Sequence, residues 1–135
     1  MGKKGFTLAE ILVTVVILGI LAGLAAPMYG SMIEGSRSNE AKASLSIILM
    51  AEKVYKLNST GQVYWGAGGT TAAAINTGLN IELMPRFYDA NWSMAQAGNG
   101  AGATFTARVE RTGDATRWYS IDQAGTGDSW EGAWS

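Results

Sequence analysis

The sequence predicts an α+β chain, a long N-terminal helix packed on a small antiparallel sheet of about three strands. Three observations predict it. An uncharged apolar run extends from Ile11 to Ile33, an amphipathic stretch follows from Ser36 to Asn58, and the last third alternates apolar and polar residues between glycine-bearing turns. The first has helical length and membrane composition, the second has one apolar stripe, and the third has the period of strands with one face buried. The expected divisions are a leader at 1–5, an apolar membrane helix at 6–30, an amphipathic helix half at 31–57, a loop region at 58–90, and a sheet with a C-terminal loop at 91–135.

Composition narrows the function classes. The 135 residues amount to one domain plus an anchor, and the net charge of −1 lacks the basic excess expected of a nucleic-acid partner. There is no cysteine and no histidine, which removes cysteine nucleophiles, histidine triads, His/Cys zinc sites and disulfide staples. No enzyme activity is expected.

Lys3 and Lys4 precede the apolar run with no acid to offset them. By the positive-inside rule they stay cytoplasmic and everything after the span lies outside. An ordinary secretory signal shares the basic start, and Ala22-Gly23-Leu24-Ala25-Ala26 resembles its cleavage site, but Glu10 at the entrance of the apolar run has no role there. Gly19 and Gly23, spaced G-x-x-x-G, lower helix rigidity and also suit a packing face, two compatible readings, and Pro27 removes a helix hydrogen bond.

The order basic leader, Gly5-Phe6-Thr7-Leu8-Ala9-Glu10, apolar run resembles the class III signal of type IV pilins and pseudopilins over roughly the first quarter of the chain. The resemblance implies that a prepilin peptidase cuts between Gly5 and Phe6, that Phe6 becomes the N-methylated terminus, and that Glu10, Gly19 and Pro27 occupy family positions. The bare residues add a reason. A carboxylate costs about 2.5–3.5 kcal/mol at the centre of a membrane helix and less near the interface, and the α-amine freed at Phe6 is its nearest counter-charge. If that amine belongs to a neighbouring subunit, the pair sets the register of a helical homopolymer. The alternative is an acid favoured at a helix N-terminus by the macrodipole. The resemblance also implies an inner-membrane assembly platform as partner, loss of helical order from Gly19 to Pro27 outside the bilayer, and a pilin fold.

In the amphipathic half, Ala41, Leu45, Ile48 and Tyr55 form a stripe that Ile47, Ala51 and Val54 widen, with Glu40, Lys42, Glu52, Lys53 and Lys56 mostly outside it. The helix is either nearly continuous from Phe6 to about Leu57, on the order of 75 Å, or two helices joined at Pro27. Both versions stop near Asn58-Ser59-Thr60-Gly61. Residues 59–85 read as loop with a short helix from Ala72 to Leu79 ended by Gly78. The glycine-rich Gly66–Thr71 lacks the Lys-Ser/Thr of a phosphate loop. Tyr64, Trp65, Arg86 and Tyr88 are candidates for exposed contacts. Strands follow at Asn91–Gln96, Thr104–Glu110 and Arg117–Asp122, with turns between.

The tail holds Asp122, Asp128 and Glu131, hard oxygen donors of the kind calcium takes. Some pseudopilins bind calcium in a C-terminal loop, and no other cofactor is expected. The alternative is a solvated acidic turn. Trp130 and Trp134 are expected to cover the sheet edge or the loop, the role of the disulfide that many pilins carry. The expected function is a structural, major-pilin-like subunit, a membrane precursor that polymerises into an extracellular pilus. One alternative is a pseudopilin of a type II secretion system in a periplasmic filament, and another is a membrane-anchored periplasmic binding domain.

Overall fold

The computed structural model describes residues 5–66 and 71–134. The leader lysines and most of the glycine-rich stretch, residues 67–70, lie outside the described residues. The elements run α1 (Leu8–Asn58), α2 (Ala72–Leu79), β1 (Ala90–Ala97), a 3-10 turn (Gly100–Gly102), β2 (Thr104–Arg111), β3 (Asp114–Asp122) and β4 (Gly127–Ser129). The chain divides into two units, Met1–Ser36 and Arg37–Ser135.

In the first unit α1 starts at Leu8 because Thr7 and Glu10 close a reciprocal cap. Glu10 Oε2 accepts from the Thr7 amide at 2.8 Å, and the Glu10 amide donates to Thr7 Oγ1 at 3.3 Å. Pro27 lies inside an unbroken helix, so of the two arrangements open in the sequence the continuous one is found. Its ring lacks the N–H that would serve the Gly23 carbonyl. The apolar side chains from Leu8 to Met32 are all exposed, and α1 is long and apolar enough to cross a membrane.

In the second unit the amphipathic part of α1 buries Ala41, Ser44, Leu45, Ile48, Leu49 and Glu52. The stripe is rotated from the expected one. Ile47 and Val54 are 46% and 57% exposed, because spacings of three and four from Ala41 pass through Leu45, Ile48 and Glu52 and leave 47 and 54 on the outer side. Glu52, expected outside, is inside.

The sheet has four antiparallel strands in the order β1-β2-β3-β4, where about three were expected. The fourth is only Gly127–Ser129, too short and too glycine-rich to show an alternation. Register places Met94, Ala107, Ile121 and Gly127 in one row, and Val109, Tyr119 and Ser129 in the next. Phe105, Ala107, Val109, Tyr119 and Ile121 belong to one core cluster with Leu45 and Ile48 of α1. A bulge between Ala90 and Ser93 puts Asn91 at φ 50° and lets Trp92 be buried with its indole N–H on Asp89 Oδ1 at 3.1 Å.

The loop region corrects two expectations. Tyr64 and Tyr88 are core residues, 7% and 1% exposed, and Trp65 is half-buried, while Arg86 is exposed. A Cβ on Gly78 would lie 2.1 Å from Trp65 Cε2, so Gly78 seats the indole. The terminator of α2 is Asn80, left-handed at φ 53°, whose amide bonds the Asn76 carbonyl.

Candidate assembly site at the N-terminus

Gly5 and Phe6 precede the helix in non-helical backbone, and Phe6 is 82% exposed. Glu10 stands in the first turn of α1. Its Oε2 accepts from both the amide and the hydroxyl of Thr7, at 2.8 and 2.9 Å, and its carbonyl accepts from Thr14 Oγ1 at 2.7 Å. The T-x-x-E box was readable in Thr7-Leu8-Ala9-Glu10 and went unused in the sequence reading. It means that the carboxylate is already partly satisfied within its own chain, by the neutral amide and hydroxyl of Thr7.

Gly19 and Gly23 have nothing within 4 Å of where a Cβ would stand, so this helix gives them no packing partner. The face they share is open to lipid or to another helix. Pro27 follows one turn after Gly23 and leaves one carbonyl of α1 without its helix hydrogen bond.

The C-terminal carboxylates are not brought together. Asp122 Oδ1 accepts from the amides of Ala124 and Thr126 at 2.9 and 2.8 Å, Asp128 Oδ1 accepts from the Ser129 amide at 2.8 Å, and Glu131 is exposed. Among the described residues no group of three or more His, Cys, Asp or Glu gathers as a metal site. The loop is fastened by other means. Trp134 lies over Gly127, where a Cβ would be 2.3 Å from the indole, its Nε1 donates to the Asp128 carbonyl at 2.7 Å, and Lys42 Nζ of α1 sits 5.6 Å from the Trp134 and Tyr119 rings. Trp130 lies under Arg117, 5.1 Å from its guanidinium.

The family model for the prokaryotic N-terminal methylation motif matches residues 1–26. Over its N-terminal part the chain is similar to a type II secretion protein and to a type IV pilin. Type II secretion system core protein G of Pseudomonas aeruginosa is 44% identical over 57 residues, 42% of this chain and 40% of that protein. Type IV major pilin protein PilA of Myxococcus xanthus is 38% identical over 53 residues, 39% of this chain and 24% of that protein. The similarity thus spans less than half the length of these curated relatives, and no solved structure matches. A pilin-type signal in this setting gives the Gly5-Phe6 junction, the capped Glu10 and the bare apolar helix one common context.

Two further acids of α1 escaped the sequence reading. Glu40 Oε1 accepts from the amides of Arg86, Phe87 and Tyr88 at 2.7, 2.7 and 3.3 Å, so one carboxylate oxygen anchors the chain just before the sheet. Glu52 is fully buried. Both looked like solvent-side charges because their partners are backbone amides distant in sequence, which no side-chain pattern reveals.

Proposed function

We propose that the chain is the structural subunit of a type IV pilus. It is inserted as a membrane precursor, cut between Gly5 and Phe6 by a prepilin peptidase, N-methylated on Phe6, and polymerised through α1 by an inner-membrane assembly platform. The observation that carries this is the apolar part of α1, exposed from Leu8 to Met32 with one carboxylate, Glu10, in its first turn. In the bilayer, lipid covers the apolar side chains but supplies no counter-charge to Glu10. In a filament, neighbouring helices cover them, and the Phe6 amine of an adjacent subunit, with a reference pKa of about 8, provides the charge that Thr7 cannot. Assembly then exchanges one apolar environment for another while improving one costly site. The work is structural, and self-association replaces catalysis.

The pseudopilin reading rests on the higher identity, that to core protein G. Both readings use the same N-terminal chemistry and differ in where the processed subunit accumulates. Fractionating the native host decides between them. Processed subunit in sheared surface fibres supports the pilus. Processed subunit retained in the envelope, with export of secreted proteins lost on deletion of the gene, supports the pseudopilus. Uncut monomer in the membrane overturns both in favour of an anchored periplasmic domain.

A further inference from the structure

Glu52 lies on the inward stripe of α1 with a fully buried side chain. Oε2 accepts from the Trp65 amide at 2.8 Å, and Oε1 has no hydrogen-bond partner. Among the described residues no cation is paired with it. α2 (AAAINTGL) and β1 (ANWSMAQA) contain no charged residue. On α1 itself Lys53 is exposed, and Lys56 Nζ is placed over the Tyr64 ring at 4.7 Å. The charges of β2 stand apart from its buried Phe105, Ala107 and Val109, with Arg108 paired to Glu110 at 3.2 Å and Arg111 at the strand end. Glu82 is exposed. In the segment from Ser59 to Gly66 the only titratable group is the Tyr64 phenol.

We propose that Glu52 is a proton-operated latch: neutral, it holds Tyr64–Gly66 against α1, and ionised, it releases that segment so that water reaches the carboxylate. A buried anion without a partner costs far more than a neutral carboxyl with one unused oxygen, so ionisation favours any local opening that hydrates it. The segment over Glu52 has the means to open locally. It has no helix or strand ladder of its own, and it is reached through Gly61 and Gln62 at φ 89° and 53°. It is fastened by the Ser59 hydroxyl to Val63 at 2.8 and 2.9 Å, by the Gly61 carbonyl to the Gly100 amide at 3.0 Å, and by Trp65 over Gly78. The helix and sheet beneath belong to the continuous core. Burial pushes the Glu52 carboxyl up to about 7 against the opposing pull of the Trp65 amide, so the latch works around neutral pH, within reach of ordinary changes outside a cell.

Hydrogen exchange on the full-length chain in detergent micelles tests this, with rates corrected for intrinsic pH dependence and referenced to the core amide of Ile48. Between pH 6 and 8 the protection of the Trp65 amide falls about tenfold, the ratio expected when the open form titrates as an ordinary carboxyl, and Glu52→Gln shows no such fall. Unchanged protection in the native chain, or an equal fall in Glu52→Gln, overturns the proposal. Infrared spectroscopy keeps the test independent of whether that variant folds. In a Glu10→Gln background with isotopically labelled glutamate, a protonated carboxyl band persists at pH 6 and is lost by pH 8, and its absence at pH 6 overturns the latch.

Discussion

Three glutamates of α1 meet apolar surroundings, and each carboxylate is accommodated differently. Glu10 folds back on Thr7 in a capping box, Glu40 collects three backbone amides, and Glu52 keeps one amide and one unpartnered oxygen. Replacing Glu40 by Ala leaves the amides of Arg86, Phe87 and Tyr88 without their acceptor and is expected to cost about 2–3 kcal/mol, read as a lowered urea midpoint in mild detergent; Glu40→Gln keeps the acceptor oxygen and costs less. Glu52 makes stability depend on pH. Its folded carboxyl, near 7, holds a proton that the unfolded chain, at 4.5, releases. Stability is therefore full below pH 4.5, falls as pH rises towards about 7 and is level above, a loss of about 3 kcal/mol. Unfolding titrations at pH 4.5 and 8 should differ by this amount in the native chain and much less in Glu52→Gln. Gly78→Ala sets two effects against each other. Alanine gains about 1 kcal/mol of helix propensity, but its Cβ would stand 2.1 Å from Trp65, and displacing a packed indole costs about 1–3 kcal/mol. The clash wins, and the variant is expected to be less stable.

At the scale of elements, how legible the sequence was depended on whether an element carries its own period. α1 and strands β1 to β3 did, and they stand within a few residues of where alternation and apolar spacing placed them. β4 did not, since three residues cannot display a period. The stripe on α1 was found but turned, because Ile47 and Val54 were counted as core by hydrophobicity alone while Glu52 was excluded by its charge. The roles of Tyr64, Trp65 and Tyr88 depend on distant partners, such as the Tyr64–Phe105 pair at 4.8 Å, and could not be read locally. In the candidate site, Gly5, Phe6 and Glu10 were legible as a spaced motif, whereas the Thr7 cap was present in the letters and overlooked. The tail is held by Trp134, Lys42 and the Asp122 turn. Chelator is accordingly expected to leave the unfolding midpoint unchanged, while Trp134→Ala lowers it, and a chelator-sensitive midpoint would restore calcium to the loop.

At the scale of the molecule, one unit is a folded core with its apolar residues inside and the other is a helix with its apolar residues outside. On the proposed reading the second of these is covered by lipid first and by copies of the same chain afterwards. Glu10 is then the residue that favours one over the other, and Glu10→Ala is expected to leave cleavage and membrane insertion intact while reducing the sheared-fibre fraction at least about tenfold, the loss of roughly 1.4 kcal/mol of pairing. Everything in this account depends on the new terminus at Phe6. The most direct measurement is the intact mass and N-terminal sequence of the chain recovered from sheared surface material of its native host. The account predicts a chain that begins at N-methyl-Phe6. A chain that keeps Met1, or begins near Ala26 and stays monomeric in the envelope, would contradict it.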